Sequence, residues 1–422
     1  MLIEFSLENF RSIKEEVTLS LVASSDKSLD NNLITTEVLK KDNLLRSAVL
    51  YGANASGKSN VVSAINSLRN LVIMSHTFQK GTEISYSPFK LDNEYLSKPT
   101  KFKVVFIKNN IKYVYGVSFT NEKIIDEYLY YYPEGRKAII FERKDTNDYK
   151  FSINKKEQKF YSEKTLDNVL YLSSSTQLNY KKTAEAFDWF KNTLAFIGAT
   201  DHPQLIDFTM KSLNKDATSK ELILKALIEA DLGINNVIAS FEKISIDEIP
   251  VMIQKQIKFL VSQKGDDVEK MLIKTIHKVV NEKGEEREVE FNFEEESEGT
   301  KRIFALIGPW IDALNNGRVL VVDELDTKLH HFLNLFLIKL FQDPTQNKNN
   351  AQLIFTTHNT NLLDLDLFRR DQIWFTEKDP RAGNTDLYSL IEFSPRKDKN
   401  VRKGYLVGRY GAIPFIGEER IF

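Results

Sequence analysis

The 422-residue chain contains no cysteine. Disulfides, thiolate metal sites and cysteine nucleophiles are therefore excluded, and the composition fits a reducing compartment. An excess of charge is missing too: 58 Lys and Arg stand against 59 Asp and Glu. No global field draws the chain to nucleic acid or an anionic membrane, although a local basic face is compatible with these numbers. No apolar run approaches the ~20 residues needed to span a bilayer. The opening MLIEFSLENFRSI carries Glu4 and has no basic n-region, so it does not have the pattern of a signal peptide. Sustained heptads, internal repeats and low-complexity linkers are also lacking, which argues against a long coiled coil or a repeat array. Neither HExxH nor GxSxG occurs. The pair His330-His331 would diverge by about 100° on a helix and makes a poor metal clamp. What remains is 42% hydrophobic and 28% charged residues, the balance of a soluble globular protein with two or three domain-sized units. The expectation is a cytoplasmic protein with no membrane partner.

Along the chain, residues 1 to 23 alternate apolar and polar, which predicts strands. SAVLY at 47 to 51 is a short apolar run ending at a glycine-rich loop, and NVVSAINSLRNLVIM then has helical spacing. From about 100 to 175, runs such as KFKVVFI, KYVYGVSF and YLYYYP predict an antiparallel sheet. Helical spacing dominates from about 176 to 260, as in YKKTAEAFDWFKNTL and SKELILKALIEADL. After about 287, VLVVDEL and QLIFTTH read as strands of a parallel sheet covered on both faces. Three regions follow: 1–175, 176–286 (mainly helical) and 287–422.

Four local patterns carry chemistry. Gly52-Ala-Asn-Ala-Ser-Gly57-Lys58-Ser59 matches G-x-x-x-x-G-K-[ST] between a strand and a helix. Backbone N–H groups of such a loop converge on one phosphate, and the helix N-terminus adds positive potential. Gly52, Asn54, Ala55, Ser56, Gly57, Lys58, Ser59 and Asn60 are the candidate residues for ATP. Lys58 would reach the β- and γ-phosphates, and the Ser59 hydroxyl would ligate Mg2+. Second, the apolar run Val319–Val322 delivers Asp323 and Glu324 to a strand end; Asp323 is placed to hold Mg2+, Glu324 to activate the attacking water. Third, LIFTTH ends at His358, which could polarise a γ-phosphate, although a lone histidine is more often structural. Fourth, Ser297-Glu-Gly-Thr300 opens an amphipathic helix, with Ser297 or Thr300 as cap and Gly299 exposing backbone; an ordinary capped helix reads the same. The preceding Glu294, Glu295 and Glu296 suit the helix dipole but would repel a phosphate.

Together GANASGKSN, SEGT, VVDELDTKLHH and IFTTH resemble, in order and form, the ABC-class ATPase heads of SMC-like proteins. LENFRSI, PFKLD and YLVGRYGAIP narrow the resemblance to AAA-type ATPases of the bacterial abortive-infection group, relatives of RecF and the OLD-family ATPases. The resemblance implies an α/β P-loop NTPase of ABC/SMC-like class: a mixed parallel core sheet, an antiparallel β-subdomain and a helical insertion. It also implies that two heads pair head-to-tail. Ser297 and Gly299 of one subunit would then cover the ATP held by Lys58 of the other. His358 becomes a switch histidine, the segment from Asp326 to His330 crosses the dimer interface, and Arg11 sits near the nucleotide. The chain departs from the pattern in having SEGT rather than LSGGQ, and no glutamine stands out as a Q-loop residue.

The function implied is a Mg2+-dependent ATPase that dimerises around ATP, senses a trigger in phage defence and controls a separately encoded effector such as a nuclease or toxin. The stretch after His358 is expected to be too short for the nuclease domain of OLD-family enzymes. A RecF-like ATPase clamping DNA is the first alternative, and binding to nucleic acid stays open. A transporter subunit fits less well, because the gap between Lys58 and Ser297 is much longer than such subunits use. A scaffold that binds ATP with little turnover is the other rival. The basic run RKDKNVRK at 396 to 403 reads as a solvated loop sooner than a nucleic-acid contact, since Asp398 interrupts it.

Overall fold

The computed structural model of the protein describes residues 1–200, 202–230, 232–244, 268–396 and 399–414. The chain divides into two compact units: Met1–Ala199 with Ala313–Thr327 and Leu337–Phe422, and Thr200–Asp312 with Lys328–Phe336.

In the first unit the continuous apolar runs become a six-stranded sheet among the described residues, in the order Leu194–Ile197, Val319–Val322, Gln352–Thr356, Ser47–Tyr51, Ile373–Lys378, Thr385–Ser389. The first five strands are parallel and the last is antiparallel. Every residue of Ser47–Tyr51, Val319–Val322 and Gln352–Thr356 is buried, as a sheet covered on both faces requires. The helix Lys58–Met74 turns Val61, Ile65, Leu68 and Val72 inward at three- and four-residue spacing. Because the strands run one way, the segments after Tyr51, Val322 and Thr356 leave the sheet at the same edge, the usual ligand edge of an open α/β sheet.

The alternating runs form a second sheet of seven antiparallel strands among the described residues, ordered Asp148–Phe151, Ala138–Lys144, Ile124–Tyr132, Ile111–Phe119, Thr100–Lys108, Leu2–Glu8, Val17–Ser20. Its inner face carries an aromatic cluster in which Phe106 stacks on Trp189 at 4.2 Å between ring centres. A buried acid and base tie residues 165 to 172 to this sheet. Glu127 accepts from the Tyr171 and Leu172 amides at 2.6 and 2.9 Å, while Arg143 donates to the Thr146 and Val169 carbonyls.

Among the described residues the second unit holds the helices His202–Leu213 and Ala217–Glu229 and a three-stranded antiparallel sheet of Ile234–Ile244, Val268–Val280 and Glu286–Asn292. The region expected to be mainly helical therefore also carries strands, and Leu194–Ile197 within it is an edge strand of the core sheet among the described residues. Apolar residues at 234, 237, 238 and 241 have helical spacing, but cross-strand pairing with Val268–Val280 prevails. Residues 245–267 of that region, and Lys397 and Asp398 of the basic run, lie outside the described residues. Among the described residues no helix is long and apolar enough to cross a membrane.

Candidate nucleotide-binding site

The loop after Ser47–Tyr51 is built on two glycines for steric reasons. A Cβ at Gly52 would lie 2.4 Å from Ser56 Oγ and 2.5 Å from the Thr376 carbonyl oxygen. At Gly57, φ is 109° and a Cβ would meet Thr385 Oγ1 at 2.5 Å. Between them Ala55 takes a left-handed φ of 61°, and the chain enters the helix at Lys58 with no side-chain cap from Gly57. The first-turn N–H groups of that helix thus have no competing cap from residue 57.

Lys58 is buried, and its Nζ donates to the carbonyls of Gly52 and Ala53 at 2.8 and 3.0 Å. Burial pushes its pKa down to about 8, opposed by the carboxylates of Asp323, Glu324 and Asp326. A phosphate would supply the counter-charge this lysine lacks.

The Ser59 hydroxyl donates to Asp323 Oδ1 at 3.0 Å. The same oxygen accepts from Thr356 Oγ1 at 2.7 Å, and Thr356 Oγ1 in turn accepts from the Glu324 amide at 2.7 Å. Thr356, which the sequence reading passed over, therefore fixes both acids from the strand that lies between theirs and the loop's. Nothing in the two threonines before His358 sets Thr356 apart in the sequence. Glu324 holds φ at 53°, and Thr327 Oγ1 donates to its carboxylate at 3.3 Å. A non-glycine residue in this region costs of order 1–3 kcal/mol, and such strain clusters at functional sites. The His358 amide donates to Asp326 at 3.3 Å, and the ring's pKa lies below its ordinary value through desolvation and the nearby Lys58. Both effects favour the neutral imidazole.

One hydroxyl and one carboxylate 3.0 Å apart make a donor pair suited to Mg2+, which takes few protein ligands and completes its shell with water and phosphate oxygens. Among the described residues no group of three or more His, Cys, Asp or Glu could hold a metal by itself. The loop tip (Ala53, Asn54, Ala55) and His358 border a cleft of about 930 Å³ that continues to Glu377, Asp386 and Tyr405. Asn60 and Arg11 meet beside the loop, Arg11 Nη1 lying 3.4 Å from Asn60 Oδ1.

Residues 52 to 60, Asp323, Glu324 and His358 thus gather at one sheet edge of the first unit. Ser297 and Gly299 belong to the second unit. There Ser297 Oγ accepts from the Thr300 amide at 3.1 Å, so Ser297, not Thr300, caps the helix Glu298–Asn316. Two of the acids before it are turned to local partners: Glu296 bonds Thr275 and His277 at 2.5 and 2.7 Å, and Glu295 accepts from the Asn292 amide.

A glycine loop on a central parallel strand, a buried lysine and a hydroxyl–carboxylate pair define a P-loop NTPase fold. The chain belongs to the AAA family described as "AAA domain, putative AbiEii toxin, Type IV TA system", whose model matches residues 47–364. Among solved structures it is similar to an SMC head bound to the C-winged helix domain of ScpA (13% identity, 92% of this chain and 97% of that chain, TM-score 0.42). It is also similar to the SMC head domain from Thermotoga maritima (13%, 92% and 98%, TM-score 0.39). RecF with ATP, from the RecFOR pathway, is a third (13%, 92% and 99%, TM-score 0.32). No curated protein matches the chain.

Proposed function

We propose that the protein binds and hydrolyses ATP with Mg2+, dimerises around two nucleotides, and serves as the sensor or regulatory ATPase of a phage-defence system with a separate effector. The observation that carries the ATPase reading is the chain of contacts from Ser59 through Asp323 and Thr356 to Glu324, beside a desolvated Lys58. Mg2+, when bound, neutralises charge on the β- and γ-oxygens. Loop amides and the Lys58 ammonium bind the phosphates, and Ser59 and Asp323 hold the metal. Glu324, kept at a strained strand end by Thr356 and Thr327, orients the attacking water and accepts its proton. His358, whose surroundings favour the neutral imidazole, can donate one N–H to a γ-phosphate oxygen.

For the dimer, Ser297 and Gly299 of a second copy would close over the nucleotide. Phe332, just past the segment from Asp326 to His330, is 70% exposed, which supports an interface there. ATP touching both copies only when they are closed would shift the open–closed equilibrium by its differential affinity. The defence role is supported by the family description.

The test is Glu324→Gln. Turnover should fall by at least about a hundredfold, in the range of removing a general base, while ATP binding persists and a nucleotide-bound dimer accumulates on size-exclusion with light scattering. An unchanged rate with no dimer would leave only an ATP-binding scaffold.

The DNA-clamping alternative has one observation in its favour. On the antiparallel sheet Tyr128 stacks on Tyr130 at 4.8 Å, and Lys112 and Lys137 lie over Tyr132 and Tyr130, making a basic, aromatic face. ATP-dependent DNA binding that weakens steeply with salt would favour it.

A further inference from the structure

The motif LENFRSI is not absorbed by the catalytic reading, yet it is tightly constructed. Asn9 is fully buried with φ 52°, and Arg11 has φ 53°. The Asn9 amide donates to the carbonyls of Tyr95 and Lys98, its Oδ1 accepts from the Phe89 amide, and the Arg11 amide donates to Ser87. PFKLD and its neighbours thus clamp a turn that delivers Ser12 to the side of the glycine loop.

There Ser12 meets Thr385, 373 residues away, which is 2% exposed and packs against Gly57. Thr385 Oγ1 lies 2.8 Å from both Ser12 Oγ and the Ser56 carbonyl oxygen, and Asn60 Nδ2 lies 2.7 Å from Ser12 Oγ. The Thr385 hydroxyl is the donor in both of its contacts. The Ser56 carbonyl can only accept, so the Thr385 hydroxyl hydrogen points at it. That one hydrogen is shared with Ser12 Oγ, which also accepts from the Asn60 side-chain amide. The Asn60 oxygen is left facing the Arg11 guanidinium, which can only donate.

We propose that Thr385 and Ser12 are positioning residues of the phosphate loop. A chain of contacts from Arg11 through Asn60, Ser12 and Thr385 holds the Ser56 carbonyl back, and so keeps the following amides of Gly57 and Lys58 turned toward the phosphate. This rests on the nucleotide reading above. It explains why a strand near residue 385 and a turn near residue 10 both touch the loop, and why Gly57 tolerates no side chain. An adjacent pair, Ser56 Oγ and Thr376 Oγ1 at 2.7 Å, braces the same residue from the neighbouring strand.

The experiment uses the full chain and a fluorescent ATP analogue with Mg2+. Thr385→Val keeps the branched shape and removes only the hydroxyl. It should weaken binding about fivefold to tenfold, the effect of one net hydrogen bond. In nucleotide-free protein it should also speed hydrogen exchange across residues 52 to 60. Thr385→Ser, which keeps the hydroxyl and loses the methyl, should bind within twofold of the parent. Ser12→Ala should act in the same direction as Thr385→Val, and the double variant should be no weaker than Thr385→Val alone, because both cut one chain. Parent-like affinity and exchange in Thr385→Val would overturn the proposal. If that variant does not fold, Ser12→Ala supplies the same two readouts, and parent-like values there overturn it equally. A parent protein that fails to bind the analogue would sink the nucleotide reading instead, while exchange without nucleotide still judges the chain.

Discussion

Lys58 sets the sharpest expectation at the scale of single residues. Its pKa of about 8 in the empty loop means that the ammonium is lost as pH rises through that value. A bound phosphate favours the charged form, so binding above pH 8 must take up a proton. ATP affinity should therefore be flat from pH 6 to 7 and fall above pH 8, approaching about tenfold per pH unit. Calorimetry in buffers of different ionisation heat checks the proton uptake directly. Lys58→Arg, whose guanidinium stays charged, should flatten the profile of whatever binding it retains. Glu324 sets a second. Its φ of 53° is free to glycine, so Glu324→Gly should raise stability by about 1 kcal/mol in urea while abolishing turnover. Stability lost rather than gained would show that the Glu324 contacts outweigh its backbone strain.

Among the structural elements, the antiparallel sheet depends on the Glu127–Arg143 pair, whose side chains are both fully buried. Removing one partner leaves a buried charge or several orphaned backbone groups. Glu127→Ala should thus cost about 3–5 kcal/mol of unfolding free energy, read from urea denaturation. The elements differed in how far the sequence announced them. Ser47–Tyr51, Val319–Val322 and Gln352–Thr356 were legible because each is a short apolar run ending in polar chemistry, a purely local signal. So was the antiparallel sheet, through its period of two. Ile234–Ile244 was not, because its apolar spacing fits a helix and only the partner strand decides. Thr356, Ser12 and Thr385 were silent for a related reason. Threonine and serine are commonplace in any strand or turn, and their role here is set by partners 32 to 373 residues away.

For the whole molecule, the proposed dimer makes Phe332 a discriminating position. Phe332→Ser in a Glu324→Gln background should abolish the ATP-dependent dimer seen by light scattering while ATP still binds each copy, with apparent affinity lowered only by the share that dimerisation contributes. A dimer that survives this change would place the interface elsewhere. The strand that leads into the glycine loop finds its two sheet neighbours only at residues 352–356 and 373–378. During synthesis that apolar segment must wait, unpaired, while roughly 300 further residues are polymerised, about 15–60 s at ribosomal speed. Until then the nascent polypeptide lacks the sheet neighbours that hold the strand before the glycine loop. A premature stop codon between those neighbours and the loop should yield an aggregation-prone fragment rather than a smaller folded unit.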